Sequence, residues 1–273
     1  MAKQKNIRIV TLLGAFALFS LSGCGGRTDV DQPKQTATNT AEKRGEEIVA
    51  EYLKRDDAPF RKIRVRFTIK TEDEPEKVYE IDTWRRQNAE GTTTLSQIVK
   101  PADESDLGSL TVEPKNGRSV VVTYAASRGE FRETGTNKMF LGGLTAGELL
   151  GEWNKFTYKF IGEKEVDGRK ILEVEGSVKP DAESVVSKVS VFFGADNYVP
   201  AELHLFDAVG REIRTYKFSE FKDDLEHPYA ARTEVENPIF KAHITVEILS
   251  RELPAKLDDA MFAREKLKEF VKK

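Results

Sequence analysis

The 273-residue sequence contains one cysteine, three histidines, three methionines and two tryptophans. A single cysteine excludes an internal disulfide. His204, His227 and His243 fall in separate segments, two of them in alternating stretches where a surface or satisfied core histidine is the ordinary reading. Gly-x-Ser-x-Gly, a phosphate loop and a second cysteine are all missing, so nothing recommends an enzyme. Asp223, Asp224, Glu226 and His227 are the one cluster with metal-ligand residue types. Crowded between Phe221 and Pro228 without recognisable ligand spacing, they read as a solvated loop, and no metal or cofactor is expected. Basic residues are not in excess: the formal net charge is −3, which argues against nucleic acid and gives anionic lipid no electrostatic reason to attract the body of the protein. Past Cys24 no apolar stretch approaches the ~20 residues that a membrane helix needs, so that part is expected to be water-soluble.

What is present begins at the N-terminus. Lys3, Lys5 and Arg8 precede an apolar run over residues 9–21, too short to span a bilayer, and small residues lead from it to the lone cysteine. That is the pattern of a secretory signal, and Leu21-Ser22-Gly23-Cys24 resembles a bacterial lipobox. The resemblance implies removal of residues 1–23 and acylation of Cys24, palmitate included, with two or three chains holding the protein at a membrane that one chain would hold only marginally. Gly25 stands where an Asp would signal inner-membrane retention, which points to the outer membrane. Removing 23 of 273 residues leaves 250, enough for one large or two small domains. It also removes three basic and no acidic residues, taking the formal charge from −3 to −6.

After the lipidated cysteine, residues 24–40 are polar, with Gly, Pro and Thr, and are expected to form a flexible linker, leaving residues 41–273 as the folded domain. Asn39 with Glu42 is placed to cap a helix carrying Ile48, Val49, Tyr52 and Leu53, which Pro59 stops; its narrow apolar stripe suits a helix laid across a surface. Ile63, Val65, Phe67 and Ile69 then alternate with Arg64, Arg66, Thr68 and Lys70, the period of a half-buried antiparallel strand. Weaker alternation follows over residues 77–86, 92–100, 107–112 and 119–124, with Asn116-Gly117 as a hairpin turn. Leu144 to Leu149 interrupts the pattern, with Thr145 and Glu148 at capping-box spacing and Leu144 and Leu149 placed as a staple; the glycines around it predict a short, mobile helix. Strands resume at Phe156, Tyr158 and Phe160, turn at Asp167-Gly168, and continue over 170–178, 185–193, 201–206, 212–221, 231–236 and 243–249. Eleven or twelve strands without β-α-β alternation predict one strongly curved antiparallel sheet or barrel, followed by an amphipathic helix carrying Phe262, Leu267, Phe270 and Val271.

Several segments carry a family resemblance: Phe140 through Thr145 leading to Leu149, Tyr158 through Glu163 with Val166 to Arg169, Val199 through Glu202 with Phe206-Asp207, Gly210 and the Tyr216 strand, and Pro254 through Leu257 to Phe262. Residues 60–262 resemble the outer-membrane lipoprotein-sorting protein family of the LolA/LolB-like fold. The resemblance implies a mainly β, unclosed barrel of about 11 strands whose concave apolar face, covered by short helices, accommodates acyl chains of a lipid or lipoprotein. Ile63, Val65, Phe67, Phe156, Tyr158, Leu203 and Leu205 are the expected groove residues, and Leu144, Leu149 and Leu150 the expected lid. Alternation separates inside from outside but leaves open whether the inside is a groove or a filled core. An anchor at Cys24 is out of place in a soluble shuttle and suits a fixed acceptor, holder or sensor in the cell envelope, facing the periplasm. The other reading is a structural or regulatory envelope protein that uses the same fold to bind a protein partner.

Overall fold

The computed structural model describes residues 34–55, 58–223 and 228–271. The signal segment, Cys24 and much of the expected linker lie outside the described residues, as do Asp224, Glu226 and His227. Helix α1 (Lys34–Arg55) begins ahead of the expected start at Asn39, so residues 34–40 are helical and not linker. Six strands follow: β1 (Phe60–Thr71), β2 (Lys77–Asn88), β3 (Gly91–Lys100), β4 (Leu107–Pro114), β5 (Val120–Ala125) and β6 (Glu130–Gly135). A crossing segment then holds β7 (Met139–Phe140), β8 (Leu144–Thr145) and α2 (Ala146–Leu150). Seven more strands complete the body: β9 (Phe156–Val166), β10 (Arg169–Val178), β11 (Lys188–Gly194), β12 (Pro200–Phe206), β13 (Glu212–Lys222), β14 (Tyr229–Asn237) and β15 (Ala242–Glu252), with α3 (Leu267–Phe270) near the end.

All strands but β7 and β8 form one 13-stranded sheet in the order β6-β5-β4-β3-β2-β1-β15-β14-β13-β12-β11-β10-β9. Two meanders are thus joined by pairing the first strand with the last, and the edges, β6 and β9, stay unpaired with each other. The sheet is mainly β, antiparallel and unclosed, as the alternation predicts. Register shifts in the pairings β1–β15, β9–β10, β11–β12, β12–β13 and β2–β3 bend it, because an extra residue on one strand sharpens the local twist. Asp167 and Gly168 both have positive φ, 51° and 74°, the conformation a tight hairpin turn demands.

The alternation in β1 sorts its residues as expected. Val65, Phe67 and Ile69 are buried on the concave side. Arg64 pairs with Asp82 at 2.6 Å and Arg66 with Glu80 at 3.0 Å on the other. The Arg66 hydrogen bond is the largest influence on the Glu80 carboxyl and holds it below the usual carboxylate range.

Two apolar clusters pack on opposite faces of the sheet, the larger on the concave side with Val65, Phe67 and Ile69 and the smaller on the side of Arg64 and Asp82. The larger joins β1 and β9–β15 to α1 through Ile48 and Val49. The smaller joins Leu95, Leu110, Val122 and Tyr124 to Phe262, Leu267 and Val271 of the C-terminal segment. That segment is not one helix: Asp258 caps a short 3-10 turn, and extended Ala263 separates it from the turn that leads into α3.

Edge strand β9 is covered by α1. A Cβ on Gly45 would stand 2.7 Å from the Lys159 backbone, so only glycine permits this approach. The helix also supplies a partner the edge would otherwise lack: Glu46 Oε1 accepts a 2.8 Å hydrogen bond from the Tyr158 amide.

A cavity beneath the crossing segment

Because β6 and β9 are opposite edges, residues 136–155 must travel across the mouth of the curved sheet. They do so in contact with its middle strands. Gly142, at φ 71°, lies so close that a Cβ would be 2.7 Å from Ile244 Cδ1 and 3.2 Å from the Ile69 side chain. Asn237 Nδ2 donates to Gly142 O at 2.8 Å, and Arg214 Nη2 to Gly143 O at 2.5 Å. Arg214 Nη1 also donates to Asn237 Oδ1 at 2.8 Å. Leu144, fully buried, anchors the segment in the larger apolar cluster.

Helix α2 starts as its sequence predicts. Glu148 N–H donates to Thr145 Oγ1 at 3.1 Å and Thr145 N–H to Glu148 Oε2 at 2.5 Å, the two halves of a capping box. The other Glu148 oxygen faces Arg214 Nε at 3.5 Å, with the two side chains 5% and 2% exposed. Further along, Glu152 accepts from Thr136 Oγ1 at 2.8 Å and pairs with Lys155 at 2.6 Å, closing the segment on itself.

Between segment and sheet is a cavity of about 70 Å³. Phe156, Tyr158, Leu203, Leu205, Val189 and Tyr216 line it from the sheet, and Thr145, Glu148 and Trp153 from the cover. Four of the seven expected groove residues, Phe156, Tyr158, Leu203 and Leu205, are therefore brought together. Val65 and Phe67 are buried in the same apolar cluster but away from the cavity wall. Ile63 is half-buried and belongs to neither cluster. Of the expected lid residues Leu144 is the anchor, whereas Leu149 is 40% exposed and does not dock. The reason is length: α2 has five residues, and its inward side is occupied by Glu148 and Gly147. Leu150 belongs to α2.

The cavity has room for about two waters, at ~30 Å³ each, and falls far short of the ~300 Å³ at which small-molecule pockets begin. Between these lining residues and the crossing segment the space is therefore small and half open to solvent. Burial pushes the Tyr158 and Tyr216 hydroxyls well above their ordinary range. Tyr158 Oη donates to Trp153 O at 2.8 Å. Near the cover, burial and then the charge of Glu152 push the Glu113 carboxyl up to about 7, against the opposing pull of Arg85 and Lys155. Among the described residues no group of three or more His, Cys, Asp or Glu suits a metal ion. His204 sits between Glu202 and Glu212 at 3.1 and 3.2 Å, and His243 on Glu236 at 2.7 Å, and none of these residues lines the cavity.

A single unclosed antiparallel sheet with its concave face covered by helices and a crossing segment has the LolA/LolB-like fold. Residues 90–269 match the model of a family described as "Uncharacterized protein", and the chain belongs to that family. Three solved structures are similar in fold. A protein described as an outer membrane lipoprotein-sorting protein domain, from Vibrio parahaemolyticus, superposes with TM-score 0.77 at 17% identity, covering 83% of this chain and 99% of its own. A DUF1329 family protein from Desulfovibrio piger gives the same TM-score, 0.77, at 17% identity over 83% and 99% of the two chains. A LolA superfamily protein from Nitrosomonas europaea gives 0.67 at 15% identity over 81% and 98%. No curated protein matches the sequence.

Proposed function

We propose that this protein is a lipid-anchored envelope protein that binds acyl chains of a lipid or lipoprotein between the sheet and the crossing segment, in outer-membrane lipoprotein sorting or lipid transport. The observation that carries this reading is the apolar cavity under a segment that is tied to the sheet at discrete points, Gly142, Gly143 and Leu144, and not woven into it. A cover held this way can lift without unpairing any strand of the main sheet. An acyl chain then takes the place of the small void and of the contacts the cover gives up. The fold shared with a lipoprotein-sorting domain and a LolA superfamily protein supports the same reading. The protein acts by binding and not by catalysis: the buried charged groups at the cavity serve the cap of α2 and the hold on the crossing segment.

No helix of the described residues is long and apolar enough to cross a membrane, and the attachment we propose is through acyl chains on Cys24, with the body in the periplasm beside the outer membrane. The small size of this cavity favours a second reading, an envelope protein that binds a protein partner with this fold. Mass spectrometry of the purified protein separates the two. Co-purified acyl lipid or lipoprotein is expected, and its absence together with no saturable uptake of a fluorescent fatty-acid analogue would overturn the acyl-binding reading.

A further inference from the structure

Two tyrosines line the cavity, and their hydroxyls differ. Tyr158 is satisfied by Trp153 O at 2.8 Å, while the Tyr216 hydroxyl, equally withdrawn from solvent, has no hydrogen-bond partner in the protein. Arg214 Nε and Glu148 Oε1, also buried and without a hydrogen bond, face each other as an ion pair at 3.5 Å, beyond good hydrogen-bond length. The three come from one place. Arg214 and Tyr216 are two residues apart on β13 and so share its concave side, and Glu148 lines the cavity with Tyr216. Tyr216 is 6% exposed and Arg214 2%. Buried polar atoms that stay unpaired cost free energy, and such a group in a binding cavity is explained by something that completes it.

The chemistry of the missing partner follows from charge and donor count. Glu148 already balances the charge of Arg214, so the trio is neutral and a carboxylate or phosphate would bring an uncompensated buried charge. At the cavity wall Tyr216 Oη–H is free to donate and Glu148 Oε1, with Arg214 Nε behind it at 3.5 Å, to accept. A neutral carbonyl beside an N–H or O–H donor answers both. An acyl amide carries that pair, and so does an acylglycerol, whose ester carbonyl lies near a free hydroxyl.

We propose that Tyr216 and Glu148, backed by Arg214, form the polar end of the cavity and select acyl ligands with a neutral carbonyl and an adjacent donor over free fatty acids and plain hydrocarbons. This rests on the acyl-binding reading above. The apolar walls at Phe156, Leu203 and Leu205 hold the chain, and the trio holds the group that joins it to its carrier.

The test is displacement of a fluorescent fatty-acid analogue from the full chain by octadecene, oleate, monooleoylglycerol and N-methyloleamide, in wild type and in Tyr216→Phe. That variant removes one unpaired hydroxyl and keeps the ring, so its fold and melting midpoint should be retained. Expected is tighter binding of the glyceride and the amide than of oleate, a loss of about fivefold for both in Tyr216→Phe, and no change for octadecene. Tighter binding of the amide would point to an acylated protein as the source, and of the glyceride to a lipid. Saturable binding without preference, or a preference that Tyr216→Phe leaves intact, overturns the selection while the acyl-binding reading stands; the trio is then completed by water alone. Failure of the wild type to bind the analogue at all overturns both.

Discussion

Glu148 and Arg214 face each other at 3.5 Å, almost wholly out of water, and each also acts elsewhere, since Glu148 caps the helix that covers the cavity and Arg214 holds the Gly143 carbonyl. The pair therefore joins cover to sheet. Removing one partner leaves an uncompensated buried charge, so Arg214→Ala should cost about 3 to 5 kcal/mol, while Arg214→Met combined with Glu148→Gln should cost clearly less than the sum of the single changes. Urea denaturation of wild type, the two single variants and the double variant gives the coupling. Strictly additive costs would show that the two groups do not depend on each other.

The raised Glu113 carboxyl predicts a pH dependence of definite sign. Its folded value of about 7 lies above the 4.5 of the free side chain, so between these values the folded protein binds more protons than the unfolded chain. The stability linked to this group is fully present below 4.5 and is lost as pH rises through about 7. At about 1.4 kcal/mol per unit the loss is at most about 3.5 kcal/mol. Glu113→Gln should flatten that part of the profile. Stabilities of wild type and variant measured across this range check it, and parallel profiles would refute the assignment.

How much of this was legible in the sequence depends on what decided each element. Val65, Phe67 and Ile69 alternate with Arg64 and Arg66, and the structure sorts them to opposite faces because period-2 patterning is a property of the strand itself. Strand β6 escaped notice since Phe131 is its one apolar residue, as suits an edge blunted by charge. The pairing of β1 with β15 joins residues as far apart as Lys62 and Glu252, 190 positions, and no local pattern carries that. At the cavity, Phe156, Tyr158, Leu203 and Leu205 follow from alternation. Arg214 does not: a charged residue at an inward position makes sense only once Glu148 and the Gly143 carbonyl stand opposite it.

Gly45 sets helix propensity against contact. Replacing a mid-helix glycine by alanine ordinarily stabilises by about 1 kcal/mol. Here the new Cβ would stand 2.7 Å from three Lys159 backbone atoms and push α1 off β9. Gly45→Ala should therefore lower the melting midpoint and speed hydrogen exchange of the Tyr158 amide, which Glu46 now protects. A raised midpoint would mean that the helix rides over the edge with room to spare.

The proposed anchor has a simpler test. Cys24→Ser removes the thiol that a lipid thioether requires, and the protein should leave the membrane fraction and incorporate no labelled palmitate. Label retained by that variant would place the attachment elsewhere or refute it.

Leu144, just before α2, and Leu149, within it, should behave oppositely. Leu144 is fully buried in the apolar cluster, and truncating such a side chain leaves a cavity, so Leu144→Ala should cost about 2 to 5 kcal/mol if the whole fold depends on it. If the crossing segment is instead a cover that opens by itself, part of that cost falls on the closed state of the cover alone. Global stability then drops by less, and a bound acyl analogue dissociates faster. Leu149, 40% exposed, should tolerate Ser with a change within about 0.5 kcal/mol and an unaltered off-rate. Off-rate and urea midpoint measured on both variants separate the cases. A large loss of stability in Leu144→Ala with an unchanged off-rate would show that residues 136–155 brace the sheet and do not open.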